Sequence, residues 1–328
     1  MKSFPTAPVS VIKDYQALHI MSMKSGIIGG GLLAMILYSC LTPTLALDLA
    51  PRQWSHLPTD INLTAVAYVK TDADITIDPV LRLEDVEMEL DTWAFRHIHT
   101  FELLGKSARV DITQAYQEGV WTGLLDGSPA STSRHGLSDT FARFSVNLYG
   151  APPMKGKEYG AYRNRVGPET VVGAGLAVRL PTGDYMEDKL INLGNNRFTL
   201  RPQIGVQHTS GKWSAELTAE IAFHTDNDEF FNGNKLEQDP LFITHGNITH
   251  TFSPGHWAGL SFGFDRGGES TINGVAKEDR KKDTGYALHY VLPINRQAGV
   301  SISYIKTRTH EDVGMDTDSL SAAVSLLW

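Results

Sequence analysis

From Ser319 to Trp328 the chain alternates strictly. Leu320, Ala322, Val324, Leu326 and Trp328 fall on one side, and Ser319, Ser321, Ala323, Ser325 and Leu327 on the other. A period of two puts successive side chains on opposite faces of a β-strand. No helical period persists after Ala46, and the two-residue period keeps returning. Ile61, Leu63, Ala65, Ala67 and Val69 oppose Asn62, Thr64 and Tyr68. Val86, Met88 and Leu90 oppose Glu87, Glu89 and Asp91, and Ala108, Val110 and Ile112 oppose Arg109, Asp111 and Thr113. Ala142, Phe144, Val146 and Leu148 oppose Arg143, Ser145 and Asn147, and Val172, Ala174, Leu176 and Val178 oppose Gly173, Gly175 and Arg179.

The second half continues in kind. Phe198, Leu200, Ile204 and Val206 oppose Arg197, Thr199, Arg201 and Gln203. Trp213, Ala215, Leu217, Ala219, Ile221 and Phe223 oppose Ser214, Glu216, Thr218 and Glu220. The stretch 241–252 is less regular, and three further strands centre on Leu260, Leu288 and Ile302. The pattern predicts an all-β chain of about 12 antiparallel strands. Short connections fall near Gly105, Gly211, Gly255 and 293–297. Long polar ones cover 71–83, 117–138, 181–195, 225–239, 266–282 and 309–317. Short turns alternating with long loops suit a closed transmembrane barrel with both termini in the periplasm. The long 150–169 connection breaks this order and reads as a periplasmic flap or a segment folded into the lumen.

Composition permits this fold. Only 20% of the 328 residues are charged, and mean hydropathy is -0.18. A barrel hides its membrane character, because each lipid-facing residue alternates with a polar one. Closure follows from the solvent: a lipid-exposed sheet edge would leave main-chain groups unpaired, at several kcal/mol each. The rival is a soluble β-sandwich, which shares the alternation. A net charge of -8 argues against a nucleic-acid partner.

Lys24, the apolar run Gly26–Leu41 and Thr44-Leu45-Ala46 have the order of a secretory leader. Residues 21–46 are therefore expected to be a signal peptide, with Met21 and Met23 as alternative starts after residues 1–20. An anchoring helix, or a lipoprotein box ending at Cys40, competes with that expectation. Residues 47–328 form one domain on this view.

Several segments then carry a family resemblance. They are Ala50-Pro51-Arg52-x-Trp54, Gly123-Leu124-Leu125-Asp126-Gly127, Asn147-Leu148-Tyr149-Gly150-Ala151-Pro152 and Leu190-Ile191-Asn192-Leu193-Gly194. Thr225-Asp226-Asn227-Asp228-Glu229-Phe230-Phe231 and Gln238-Asp239-Pro240-Leu241 follow. In this order the chain resembles outer-membrane transporters assigned to the meta-cleavage pathway of phenol degradation. The resemblance implies a porin-like barrel connected with uptake of aromatic compounds, and it implies no particular binding residues.

The inward faces suggest a lumen field. Arg143, Arg179, Arg197 and Arg201 make a basic wall. Glu87, Glu89, Asp91, Asp111, Glu216 and Glu220 flank it. Such a field would orient polar solutes and tune selectivity; the alternative is that the charges pair and fill a narrow barrel. His97 and His99 share a face but lack a third metal ligand, and Asp226–Glu229 lacks the glycine of a calcium loop. Trp54, Trp213, Trp257, Trp328, Tyr286 and Tyr290 are expected in the interfacial girdle. Val324, Leu326 and Trp328 resemble the terminal signal read by the barrel-assembly machinery. No nucleophile motif is present, so a lipase is disfavoured.

The expected function is passive passage of small solutes, aromatic or hydrophobic compounds included, without a cofactor or metal. A structural or adhesive barrel is the alternative. Expected partners are outer-membrane lipid, lipopolysaccharide and the solute; oligomeric state is not readable.

Overall fold

The computed structural model describes residues 48–76, 83–125, 127–295 and 297–328. The expected leader, with Cys40, lies outside the described residues. The strands run β1 (Asn62–Thr76), β2 (Leu83–Leu103), β3 (Lys106–Leu125), β4 (Ser128–Leu137) and β5 (Thr140–Tyr149). A short helix, α1 (Gly156–Arg163), precedes β6 (Glu169–Leu180), β7 (Thr199–Ser210) and β8 (Trp213–His224). Then come β9 (Asn227–Phe230), β10 (Asn234–Gln238), β11 (Leu241–Ser253), β12 (His256–Gly267), β13 (Ser270–Ile272) and β14 (Val275–Ala276). The chain closes with β15 (Lys281–Pro293), β16 (Ala298–Thr309) and β17 (Gly314–Leu327).

Twelve of these strands form one antiparallel ring, ordered β2-β1-β17-β16-β15-β12-β11-β8-β7-β6-β5-β3, and β2–β3 pairing closes it. The first and last barrel strands meet over 14 registered pairs, from Leu63↔Leu327 to Thr76↔Gly314. No free sheet margin therefore remains in the ring, as a hydrocarbon solvent demands. Each strand turns an apolar side chain outward. Val66, Phe95, Ile112, Phe144, Leu176 and Ile204 are all exposed, and so are Leu217, Ile248, Phe262, Leu288, Ile302 and Val324. A continuous exposed apolar belt of this size would aggregate in water; lipid is its proper solvent.

The two ends of the barrel differ. One end, here the turn end, carries the tight turns at Gly105, Gly211 and Gly255 and both barrel termini. Gly105, Gly211 and Gly255 have φ of 73°, 60° and 77°, the left-handed geometry that glycine adopts without steric cost. At the other end, the loop end, the long connections carry regular structure of their own. The stretch 117–138 forms a β3–β4 hairpin above the ring, and β1 and β2 extend up beside it. The loops after β8 and β12 fold into a small sheet, β14-β13-β10-β9, over Phe230, Leu236 and Ile272.

This extension corrects two face assignments. Val86, Met88 and Leu90 point inward, in a cluster with Ala73, Ile75, Trp121 and Leu193. Glu87 and Glu89 are exposed on the outer face, beside Asp74 and Asp72, and Asp91 is half-buried there beside Lys70. Below Asp91 the outer face becomes Trp93 and Phe95. The lipid boundary thus crosses β2 between Asp91 and Trp93. Above it the outside is water, so charge belongs outside and apolar residues pack beneath the loops. On β1 the outward face is Val66 and Tyr68, and Leu63, Ala65, Ala67 and Val69 turn inward.

Candidate functional site

Before β1 the chain does not run along the outside; it passes through the barrel. Leu49 packs with Ala222 of β8, Leu241 and Ile243 of β11 and Ala287 of β15. Asp48 receives Arg143 Nη1 at 3.0 Å from β5. Trp54 is fully buried, and its Nε1 donates to Thr218 Oγ1 at 2.9 Å. We call residues 48–57 the plug.

The wall is shaped for this segment. A Cβ on Gly205 would lie 1.9 Å from Trp54 Nε1, and one on Gly173 would lie 2.2 Å from Trp54 Cε3. These two glycines are register partners on β6 and β7, so they form a floor on which the indole lies. Glu216 of β8 holds the plug main chain. Its two carboxylate oxygens accept Gln53 N at 3.1 Å and Trp54 N at 2.9 Å, and Asn247 donates at 3.1 Å. The preceding residue, Arg52, has φ 65°, a left-handed conformation costing about 1 kcal/mol for a side chain with a Cβ. Charge-assisted hydrogen bonds contribute about 1.5–3 kcal/mol each, so the two to Glu216 outweigh that strain.

Further contacts fix both flanks. Arg52 donates to Thr251 Oγ1 at 2.5 Å and stacks on the Trp257 ring at 4.6 Å. Gln53 Nε2 donates to Gln203, which donates to Glu220, which also receives Arg201 at 2.6 Å. Lower down, His56 lies between Glu169 (3.0 Å) and the Pro152 carbonyl (2.9 Å). The 150–169 connection therefore lies beneath the plug. Tyr159 of α1 donates to the His56 carbonyl at 2.8 Å, and Tyr162 to Glu169 at 2.7 Å. Burial and the Glu169 carboxylate push the Tyr162 phenol up, which keeps it a donor.

The plug covers one side of the lumen only. Inward residues of β3, β5, β7, β8 and β11, including Asp111, Arg143, Arg201, Glu216, Glu220 and Asn247, are buried. On β2, β1, β17 and β16 the inward side chains from Ala94, Ala67, Ala323 and Ser301 toward the turn end stay half-exposed and are mostly small, whereas Thr92, Thr71 and Ser319 above them are buried. Register places Ala94, Ala67, Ala323 and Ser301 in one row across the four strands. Val69, Ser321 and Ser303 form the row above, and Arg96, Ala65, Ser325 and Gly299 the row below. Arg96 is the charge bordering this stripe, and Asp111 neutralises it through a bidentate pair.

The predicted lumen charges thus divide. Arg143, Asp111, Arg201, Glu216 and Glu220 come together on the covered wall, largely paired. Arg179 lies half-buried on the same inward parity of β6. Arg197 sits higher, donating to Gln238 of β10. Glu87, Glu89 and Asp91 are outside and take no part. Trp54 and Trp257 are not girdle residues but lumen residues; Trp213, Tyr286, Tyr290 and Trp328 are exposed on the outer surface as expected. His97 and His99 face outward, bonded to Thr64 and Asn62, and no metal-ligating cluster exists among the described residues. Sequence reasoning missed the plug. Its signal was the pair of inward glycines, Gly173 and Gly205, on adjacent strands.

Fold and site define a closed, twelve-stranded transmembrane β-barrel, its lumen partly filled by residues 48–57. The chain belongs to the family described as "Putative MetA-pathway of phenol degradation", whose model matches residues 70–313. Among solved structures it is similar to the COG4313 outer membrane channel from Pseudomonas putida F1. The TM-score is 0.69 at 18% identity, covering 86% of this chain and 100% of that one. The CymD monoaromatic hydrocarbon channel aligns at TM-score 0.40 and 5% identity, covering 83% and 88%. The β domain of the Bordetella autotransporter BrkA aligns at 0.45 and 9%, covering 82% and 100%. These two are too distant to bear on function. No curated protein matches the sequence.

Proposed function

We propose that the protein passes small solutes through the outer membrane along the small-residue stripe between the plug and strands β2, β1, β17 and β16. The observation that carries this is the half-exposed row Ala94-Ala67-Ala323-Ser301, opposite a wall whose inward side chains are buried. Small side chains leave room, and the row bears no charge, so an uncharged solute sheds little hydration there. The family's description points to phenol and its relatives as solutes. Transport is passive and needs no cofactor. The buried charges hold the plug rather than select ions, and the protein is not an enzyme.

In this reading the turn end and both barrel termini face the periplasm. The exposed loop-end charges meet lipopolysaccharide, and Val324, Leu326 and Trp328 serve barrel assembly after leader cleavage. The test is uptake of labelled phenol at micromolar concentration, with single-channel conductance of the purified protein. Ala67→Trp and Ala323→Trp fill the stripe and should lower both. If both variants conduct and take up phenol like wild type, the passage lies elsewhere.

A further inference from the structure

The outer wall of the barrel is not chemically uniform. The neighbouring strands β7, β8, β11, β12 and β15 carry no carboxylate on their outward faces. Glu216, Glu220, Asp265 and Asp283 all have inward parity. At the turn end of these strands an outward row of rings crosses from strand to strand. Trp213 of β8 is followed by His250 and Phe252 of β11, His256 of β12 and Tyr290 of β15. Successive centroids lie 4.6, 4.7, 4.8 and 5.5 Å apart. Tryptophan and tyrosine are the usual residues at such a level, because they suit a membrane interface. The two imidazoles are the departure. The ring nitrogens of His250 have no hydrogen-bond partner among the described residues. His256 Nε2 meets the Tyr290 hydroxyl at 3.0 Å, and its Nδ1 has no partner there either.

A cation stands beside these rings. Lys212 lies on the β7–β8 turn, next to Trp213, the register partner of His250. Its carbonyl accepts Thr251 N at 2.8 Å, which ties the turn to β11. Lys212 is exposed and makes no ion pair among the described residues. Above the rings, Ile248, Leu260 and Leu288 form one register row and are all exposed. An ammonium and N–H donors thus sit at the end of the wall, with a hydrocarbon face directly above them. That order matches a phosphodiester with acyl chains attached. The loop-end boundary is built differently. There the outward rows Glu89-Asp72-Asp318 and Glu87-Asp74-Asp316 cross β2, β1 and β17. Lys70, Lys306 and Arg308 pair with some of these carboxylates, and the excess negative charge repels a phosphodiester.

We propose that this patch holds an anionic phospholipid, its phosphodiester on Lys212, His250 and His256 and its acyl chains against Ile248, Leu260 and Leu288. The site goes beyond the passage reading and stands whether or not a solute passes. The experiment titrates the detergent-solubilised folded barrel with phosphatidylglycerol carrying a pyrene-labelled acyl chain. Energy transfer from tryptophan reports binding, Trp213 lying within the patch. Diacylglycerol with the same labelled chain is the comparison without phosphate. Phosphatidylglycerol should bind saturably, and millimolar inorganic phosphate should not displace it. Lys212→Gln should weaken binding about five-fold, the factor for one cation at an anionic headgroup. His250→Phe with His256→Phe keeps the ring row and should weaken it about ten-fold, the loss of two donors. Lys212 is an exposed turn residue, so its variant decides the matter even if the double variant lacks the folded mobility on unheated gels. Lys70→Gln, at the loop-end boundary, should bind like wild type. Equal affinity for diacylglycerol, or displacement by inorganic phosphate, would overturn the phospholipid assignment. Binding unchanged in Lys212→Gln, or weakened as much by Lys70→Gln, would overturn the site.

Discussion

The two halves of the lumen are built from the same alternating strands and solve opposite problems. The half formed by β3, β5–β8 and β11 is charged, glycine-floored and buried under residues 48–57. The half formed by β2, β1, β17 and β16 is small, nearly neutral and, from the Ala67 row toward the turn end, half-exposed. A carboxylate or guanidinium inside a barrel is costly unless paired, so charge concentrates where the plug supplies partners. Where nothing covers the wall, alanine and serine keep it open without demanding partners. Lumen polarity is therefore a map of what touches the wall.

The largest expected effect comes from freeing the covered half. Glu216→Ala leaves the Gln53 and Trp54 amides and Asn247 unpartnered, removing at least two bonds of about 1.5–3 kcal/mol each. Single-channel conductance should rise several-fold, matching a variant lacking residues 48–57. Equal conductance in wild type and both variants would break the comparison. Gly205→Ala attacks the same contact sterically, because the added methyl would sit 1.9 Å from Trp54 Nε1. It should raise conductance less than Glu216→Ala does, and quench the Trp54 contribution to buried-indole fluorescence.

How much of this was readable in the sequence follows the same division. Strand positions, the twelve-strand count and the outward faces of β3 and β5–β8 were legible, because there the lipid face and the polar lumen face differ sharply. The faces of β1 and upper β2 were not. Alternation defines two faces but not which solvent meets each, and Glu87 and Glu89 lie above the lipid. The plug was illegible because Pro51-Arg52-Gln53-Trp54 has no period. Its complement was written elsewhere, in Gly173, Gly205 and Glu216, more than a hundred residues away.

Two smaller effects sharpen the contrast. Arg143→Met removes the cation shared by Asp48 and Asp111 and should cost about 3–5 kcal/mol, as for a broken buried pair. Urea unfolding of the barrel should shift to lower concentration. Ser301→Ala, on the uncovered half, breaks no side-chain hydrogen bond among the described residues and should change neither stability nor conductance measurably. A destabilisation comparable to Arg143→Met would mean that the uncovered half is packed after all.

The most direct test is chemical access to the two walls. In a Cys40→Ser background, Ala323→Cys and Thr218→Cys place one thiol on each, Thr218 being 1% exposed beneath Trp54. Single channels are recorded while a charged methanethiosulfonate is added. The account predicts a stepwise fall in current for Ala323→Cys and none for Thr218→Cys. Equal modification of both, or modification of Thr218→Cys alone, would contradict it.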